Sequence, residues 1–198
     1  MARAGDGRKG EALNRNVEIK ARSSDRDRQI EKAARISDAP PQVIDQEDTF
    51  FPSENGRLKL RRFGDGTFGS GACGDRPGEV IYYERANATG PKESRYLVCA
   101  VPEACRLSEV LRAALGTRGV VRKKRTLFLV GKTRIHFDEV EGLGNFIELE
   151  VVLDPGQTES EGMAVARGLM KALGIREHDL VDRSYVDLLG GWVPGITA

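Results

Sequence analysis

The sequence predicts an α+β fold in which a closed antiparallel β-barrel carries helices on its outside. Seven or eight strands are predicted, and most of them are joined by short links, which are typical of antiparallel pairing. Apolar and polar residues alternate along these strands, as expected for sheets with one apolar face. A sandwich would satisfy both observations. The third observation, that the polar faces are almost entirely charged, favours a closed barrel.

The first half of the chain is predicted to start with a disordered tail over 1–14, which is rich in Gly, Ala and Arg. The elements that follow are a strand at 16–22, a helix ending near 35, and strands at 42–51 and 57–61. Strict alternation identifies the first strand, and the Ser-Ser-Asp sequence after it offers N-caps for the helix. A Pro-Pro pair ends the helical region, and an Asn-Gly turn introduces the last of these strands.

The second half begins with a glycine-rich segment at 64–78, which is predicted to be a flexible loop. The elements that follow are strands at 79–85 and 93–101, a helix at 103–115, strands at 120–130, 133–140 and 145–153, a helix at 158–173 and a turn at 184–189. Apolar residues at i, i+3, i+4 and i+7 identify the first helix, and Gly-containing turns separate the three strands after it. A single domain is predicted over 15–190, followed by a tail over 191–198.

Length and composition exclude several classes of protein. A chain of 198 residues fits one domain of ordinary size. The 31 Lys and Arg residues against 30 Asp and Glu residues give a net charge of +1, which argues against nucleic-acid binding. No run of about 18 apolar residues could span a membrane, and the N-terminus lacks the apolar stretch of a secretory signal, so a cytoplasmic protein is expected. The cysteines, Cys73, Cys99 and Cys105, lack CxxC spacing and are expected to be reduced thiols.

Charged residues on the strands identify the candidate site. The predicted lumen carries the cations Lys20, Arg57, Lys59, Arg61, Arg85, Lys123, Arg125 and Arg134. It also carries the carboxylates Glu18, Asp138, Glu148 and Glu150. A solvated outer face would explain any one of these strands, but like charges on neighbouring strands repel each other unless they have partners. Inside a closed barrel the charges face one another or a ligand, and the apolar faces pack outward against the helices.

This mixture of charges indicates a polyanion held together with a hard metal ion. Arg and Lys bind phosphate oxygens, and Arg often does so through two hydrogen bonds. Glu148 and Glu150 are two residues apart on one strand, so their carboxylates project to the same side and could share Mg²⁺ or Mn²⁺. A triphosphate with its metal uses both sets of charges, whereas a simple anion site or a simple cation site needs only one of them.

Six segments in a fixed order carry a resemblance to a known family. They are NVEIKAR at 16–22, DTFF at 48–51, RLKLR at 57–61, KKRTLFLVG at 123–131, RIHFDEVEGLGNFIELE at 134–150 and RSYVDLL at 183–189. Together they resemble the CYTH superfamily of triphosphate tunnel metalloenzymes, which includes class IV adenylate cyclases, thiamine triphosphatases and inorganic triphosphatases. The segment 125–148 and the Arg-Ser-Tyr ending look most like the class IV adenylate cyclase branch.

The resemblance implies an eight-stranded tunnel that binds a triphosphate-bearing small molecule and needs a divalent metal, Mg²⁺ or Mn²⁺. Catalytic roles are implied for Glu18, Lys20 and Arg125. Phosphate contacts are implied for Lys59, Arg61, Arg85, Lys123 and Arg125, and the charge pattern adds Lys20, Arg57 and Arg134 to that set. Metal binding is implied for Glu18, Asp138, Glu148 and Glu150. The sequence departs from the family at Asn16, where the signature has its first Glu, so this position supplies a carbonyl oxygen without a charge.

Three functions stay open at this point. With water as the nucleophile the protein is a triphosphatase, which is slightly favoured because it needs fewer specific features. With the ribose 3′-hydroxyl of ATP as the nucleophile it is a cyclase that makes cyclic AMP and pyrophosphate. A non-catalytic polyphosphate or nucleotide sensor is the third reading. His136 is predicted to be a hydrogen-bonded interior residue, with a general base as the alternative. The helix at 103–115 is predicted to pack on the barrel, with a homodimer interface as the alternative.

Overall fold

The computed structural model describes residues 13–64 and 76–190. The strands in this range are β1 (Asn14–Arg22), β2 (Gln42–Phe51), β3 (Arg57–Gly64), β4 (Gly78–Arg85), β5 (Lys92–Val101), β6 (Gly119–Val130), β7 (Thr133–Val140) and β8 (Gly144–Val152). The helices are α1 (Arg26–Ile36), α2 (Ala104–Leu115), α3 (Glu159–Leu173) and α4 (Tyr185–Leu188), with a 3₁₀ turn at Glu177–Asp179. The predicted tails, up to residue 12 and from 191 on, and positions 65–75 of the predicted loop lie outside the described residues.

The eight strands form a closed antiparallel barrel, which confirms the predicted fold class. Their order around the barrel is β1-β5-β4-β3-β2-β6-β7-β8. β1 closes the barrel because it pairs with β5 along one edge and with β8 along the other. β3 is longer than predicted, since Arg62 and Phe63 continue the ladder opposite Glu47 and Gln46 of β2.

The apolar faces of the strands point outward and pack against the helices, as the charge pattern predicts. Residues of β1, β6, β7 and β8 form one cluster with α1 and α3, which includes Ile19, Phe128, Ile135, Phe137, Leu149, Ala33, Met170 and Leu173. Burial of each large apolar side chain contributes roughly 1.5–3 kcal/mol. The charged faces are thereby turned toward the barrel axis.

Helix α3 lies unusually close to β1. A Cβ atom added at Gly162 would lie 2.7 Å from Cγ2 of Val17 and 2.6 Å from Cδ2 of Leu153, so any larger residue would force these side chains to shift. The start of the helix is fixed by a capping box between Thr158 and Glu161. None of the helices within the two described ranges is long and apolar enough to cross a membrane.

Helix α4 packs against the barrel. Tyr185 and Val186 pack with Phe50, Val121 and Phe146 in a separate apolar cluster. A capping box between Ser184 and Asp187 fixes the start of the helix. The first residue of α4 is thereby held against the interior of the barrel.

The cysteine prediction is wrong for one residue. Cys105, buried near the start of α2, is disulfide-bonded, whereas Cys99 on β5 is a free and exposed thiol. A disulfide needs two sulfur atoms about 2.05 Å apart, and the spacing of cysteines along a sequence does not show which of them approach each other. The expectation that all three thiols are reduced therefore fails at Cys105.

Candidate functional site in the barrel lumen

The barrel encloses a cavity of about 430 Å³, a volume within the range of small-molecule binding sites. Side chains from all eight strands line it, and Tyr185 of α4 lines it as well. The predicted cations in the lining are Lys20, Lys59, Arg61, Arg85, Lys123, Arg125 and Arg134. The predicted carboxylates in the lining are Glu18, Glu148 and Glu150.

Two predicted site residues lie outside the lining. Arg57, the first residue of β3, donates from Nη2 to Oδ1 of Asn87 over 2.6 Å and lies 3.6 Å from a carboxylate oxygen of Asp187 on α4. Asp138 is fully buried, and three neighbouring side chains donate hydrogen bonds to its carboxylate. In the structure Arg57 contacts α4. Asp138 lies behind the cavity surface, where it pairs with Lys123 and Arg125 of the lining.

Asp48, Lys59 and Arg61 form a group that we call the first clamp. Lys59 donates to Oδ2 of Asp48 over 2.8 Å, and Arg61 donates to both carboxylate oxygens over 2.9 and 3.1 Å. Burial alone would raise the pKa of Asp48, but the charges of Arg61 and Lys59 hold it well below its usual range. Burial, and then repulsion by Arg61, lowers the pKa of Lys59 to about 8. The side chains of Lys59 and Arg61 keep 13% and 15% exposure toward the cavity.

Asp138, Lys123 and Arg125 form a second clamp with the same design. Arg125 donates from Nε and Nη2 to the two carboxylate oxygens over 2.6 Å each, and Lys123 donates to Oδ2 over 3.0 Å. The hydroxyl of Tyr185 also donates to Oδ2 over 3.1 Å. Burial would raise the pKa of Asp138, but Arg125 and Lys123 hold it far below its usual range. The carboxylate is therefore ionised and fully paired.

Glu148 joins the second clamp to β1. Its two oxygens accept hydrogen bonds from Lys20 over 2.5 Å and from Arg125 over 2.6 Å. The Lys20 ammonium also lies 3.4 Å from the ring centroid of Tyr185, which is a cation–π contact. Although burial opposes ionisation, the charges of Lys20, Lys123 and Arg125 keep the pKa of Glu148 well below its usual range.

Two further ion pairs line the cavity. Arg85 donates to Glu18 over 2.5 Å, and Arg134 donates from Nε to Oε2 of Glu150 over 2.8 Å. Burial would raise the pKa of Glu150, but His136, Arg134 and Arg125 lower it to about 2. Glu150 is therefore ionised at neutral pH.

His136, Glu148 and Glu150 form a group that could hold a metal ion, because one ligand atom from each lies within 4.8 Å of the others. The buried Oδ1 of Asn16 and Nδ1 of His136 have no hydrogen-bond partner in the described part of the chain. Buried polar atoms are nearly always satisfied, so these atoms fit a lumen that binds a further group. Carboxylate and carbonyl oxygens suit Mg²⁺ and Mn²⁺.

The structure modifies the prediction for His136. The residue is buried in the lumen as expected, but none of the described residues forms the expected hydrogen bond with Nδ1. Nδ1 lies 3.6 Å from Oε1 of Glu150. Burial, and then the charge of Arg125, lowers the pKa of His136 to about 3, so the ring is neutral at pH 7 and this contact is not an ion pair.

Sequence reasoning missed Asp48, Tyr83 and Tyr185 as lining residues. A signal for Asp48 exists, because Ile44, Gln46, Asp48 and Phe50 alternate along β2 and all line the cavity. The role of Tyr185 depends on where the end of the chain packs, and local alternation does not show this. The resemblance to a family includes its Arg-Ser-Tyr segment but assigns no contact to it.

The chain thus forms a tunnel-like antiparallel barrel whose interior carries paired cations and carboxylates, and these side chains, rather than the fold alone, determine what the site can do. The particular family follows from the sequence comparison. A family model for the CYTH domain matches residues 14–185, and the chain belongs to this family.

Three individual proteins illustrate what the chain is similar to. Adenylate cyclase CyaB from Aeromonas hydrophila is 30% identical over 98 residues, which are 48% of this chain and 51% of the relative, so the match spans about half the length of that protein. The structure of the PH1012 protein from Pyrococcus horikoshii has a TM-score of 0.72 at 21% identity and covers 87% of this chain and 98% of its own. HpAC1 from Hippeastrum, described as having a dominant triphosphatase activity, has a TM-score of 0.56 at 14% identity and covers 90% and 98%. The two structural similarities show the fold.

Proposed function

We propose that the protein is an enzyme that binds a triphosphate and a divalent metal, Mg²⁺ or Mn²⁺, in the barrel lumen and hydrolyses the terminal phosphate. One observation carries this proposal: two clamps of Lys and Arg face the same 430 Å³ cavity as a group of carboxylates. A polyanion without a metal would be repelled by Glu148 and Glu150, and a metal without a polyanion would leave the many cations unused.

The cations of the first clamp are suited to hold the phosphate chain. Lys59 and Arg61 share the single carboxylate of Asp48, so two positive charges face one negative charge. Their side chains keep some exposure to the cavity, and phosphate oxygens can replace water there. Fixed charges in a site of low dielectric stabilise negative charge that develops on phosphoryl oxygens, and this term is usually the largest one in such catalysis.

The residues around Glu148 are suited to position the reacting end. Lys20 is fixed by Glu148 and by the ring of Tyr185, and Arg125 is fixed by Asp138 and Glu148. A divalent cation at Glu148 and Glu150, when bound, would offset phosphate charge as a Lewis acid. Glu18 faces the same cavity with Arg85 as its partner.

Cyclisation of ATP is the second candidate function, and one observation favours it. The matched half of the Aeromonas hydrophila relative belongs to a protein named adenylate cyclase. In that reaction the ribose 3′-hydroxyl attacks the α-phosphorus and pyrophosphate leaves. Ile44, Phe63 and Leu127 supply apolar area to the cavity lining, against which a base could pack.

Product analysis separates these candidates. ATP, tripolyphosphate and thiamine triphosphate are incubated with the protein and either Mg²⁺ or Mn²⁺, and products are separated by chromatography. Release of orthophosphate without a cyclic product supports the triphosphatase. Formation of cyclic AMP and pyrophosphate would contradict hydrolysis and support the cyclase. Binding without turnover of any substrate would contradict both and indicate a sensor.

A matched pair of variants tests whether the lumen performs the reaction. Glu150→Gln removes a charge from the carboxylate group, and Glu139→Gln makes the same change at an exposed position of β7. We expect Glu150→Gln to lose at least about 100-fold in metal-dependent turnover, by analogy with the loss of one electrostatic contact to the transition state. Equal activity of the two variants would remove Glu150 from the site.

A further inference from the structure

The carboxylate oxygens around the metal-binding group are not equally occupied. Both oxygens of Glu148 accept hydrogen bonds, one from Lys20 and one from Arg125. Oε2 of Glu150 accepts a hydrogen bond from Arg134. The remaining oxygen, Oε1 of Glu150, faces Nδ1 of His136 at 3.6 Å, beyond hydrogen-bond distance. Two potential ligand atoms thus face each other in the lumen.

His136 has no other evident use for this nitrogen. Its side chain is 4% exposed, and Nδ1 has no hydrogen-bond partner among residues 13–64 and 76–190. The register places the residue directly opposite Glu148 across the β7–β8 ladder, with Glu150 opposite Arg134 two positions away. A buried imidazole nitrogen is normally paired, so one that faces a carboxylate oxygen for which the described residues supply no hydrogen bond needs an explanation.

We propose that Nδ1 of His136 is a metal ligand beside Oε1 of Glu150, and that this nitrogen gives the site a preference for Mn²⁺ over Mg²⁺. Adjacent ligands bonded at about 2.1 Å lie about 3 Å apart, so the observed gap needs only a small contraction. Mn²⁺ accepts oxygen ligands as Mg²⁺ does, but it is also the first member of the transition-metal series that binds mixed nitrogen and oxygen sites, whereas Mg²⁺ is held by carboxylates, phosphates and water. The inference rests on the proposed function only for the presence of a cation at this carboxylate group.

Mn²⁺ itself is the probe, used with the full chain and without any triphosphate. Pulsed electron paramagnetic resonance detects the coupling of a bound imidazole nitrogen to Mn²⁺. The chain has two histidines, and the second one, His178, is 69% exposed on the 3₁₀ turn. We expect the nitrogen coupling in the wild-type protein and in the His178→Gln control. Bound Mn²⁺ without this coupling in the wild-type protein overturns the inference.

Two substitutions at the site sharpen the test. His136→Asn places an amide oxygen near the position of Nδ1, so we expect Mg²⁺ affinity to change less than threefold, the Mn²⁺ preference to fall at least tenfold, and the nitrogen coupling to disappear. His136→Leu removes the ligand, so we expect a loss of at least tenfold in Mn²⁺ affinity. Calorimetry with each metal gives the affinities, and circular dichroism checks the fold. An unchanged Mn²⁺ preference in His136→Asn contradicts the proposal.

The outcomes separate this inference from the proposed function. If the protein turns over no triphosphate but Mn²⁺ shows the nitrogen coupling, the proposed function fails and the metal site stands. If the protein hydrolyses triphosphate with Mn²⁺ but shows no nitrogen coupling, the function stands and His136 is excluded as a ligand. Should His136→Leu fail to fold, the spectra of the wild-type and His178→Gln proteins decide the question.

Discussion

The two clamps use the same residue types in the same arrangement but differ in burial. Each has a Lys-x-Arg sequence on one strand and an Asp on the neighbouring strand, and in each the Arg donates to both carboxylate oxygens while the Lys donates to Oδ2. The register is also alike, because Arg61 lies opposite Asp48 and Arg125 lies opposite Asp138. Sequence and pairing therefore produce one local structure twice.

What differs is the surroundings of each clamp. In the second clamp the Lys and Arg side chains are 3% and 5% exposed, and Tyr185 and Glu148 add further hydrogen bonds. In the first clamp Lys59 and Arg61 are three or more times as exposed, and the next carboxylate, Glu79, lies 3.9 Å from Arg61. The same ion-pair arrangement can therefore stabilise the fold at one place and remain available to a ligand at another.

Removal of the second clamp's carboxylate should have the largest effect. Asp138→Asn leaves the buried Lys123 and Arg125 without their shared countercharge, and breaking a buried pair in this way typically costs about 3–5 kcal/mol. The corresponding Asp48→Asn variant should lose less free energy of unfolding, because Lys59 and Arg61 reach solvent in the cavity. Urea titration followed by circular dichroism measures both. Equal losses in the free energy of unfolding would show that the two clamps contribute equally to the stability of the fold.

Removal of a cation should affect ligand binding most at the first clamp. Lys59→Met is expected to weaken tripolyphosphate binding about 10- to 100-fold, because a hydrogen bond to a charged group contributes about 1.5–3 kcal/mol. Lys124→Met removes an exposed charge from β6 and serves as the control. Calorimetry without metal gives the affinities. If Lys59→Met binds tripolyphosphate as tightly as the control does, the first clamp is not a phosphate site.

The sequence predicts the lumen well because side-chain direction in a strand is a local property. Lys59 and Arg61, or Lys123 and Arg125, must share a face once their strands form. The outer helices and the cavity cations follow from this alternation, whereas the closure of the barrel was indicated by the charge of the polar faces, since alternation alone also fits a sandwich. Arg57 has the same parity, yet it begins its strand and reaches Asp187, whose position is set by the packing of α4. Such contacts depend on tertiary arrangement, which no local pattern contains.

The sequence also does not predict which charged side chains pair with each other. Asp138 has the parity of a lumen residue, but the pairing of β6 with β7 brings two cations to its oxygens, and the packing of α4 adds a tyrosine. Asp48 lies on a strand whose alternation mixes apolar and polar residues on its inner face, so charge segregation gave no signal there. The family resemblance identified the right strands but not these pairings.

The pH dependence of binding tests the first clamp more finely. Lys59 must be charged to bind a polyanion, and its pKa of about 8 predicts that affinity falls roughly tenfold between pH 7 and pH 9. Unfolding is not the cause, because the unfolded chain binds more protons at Lys59 between pH 8 and 10.5, so this titration raises stability with pH. Lys59→Arg stays charged and should lack the fall. The ratio of the two affinities at each pH cancels ionisation of the ligand, and a constant ratio would contradict the assignment.

The smallest change is expected when the tyrosine beside each clamp loses its hydroxyl group. Tyr185 donates to Asp138, whereas Tyr83 lies with its ring centroid 5.7 Å from Nζ of Lys59. Tyr185→Phe removes one hydrogen bond to a fully buried carboxylate and keeps the cation–π contact with Lys20, so we expect a loss of about 1 kcal/mol in the free energy of unfolding. Tyr83→Phe should change it by less than about 0.5 kcal/mol. Urea titration of both variants measures the difference, and a loss in Tyr83→Phe as large as that in Tyr185→Phe would mean that the first clamp is held as rigidly as the second.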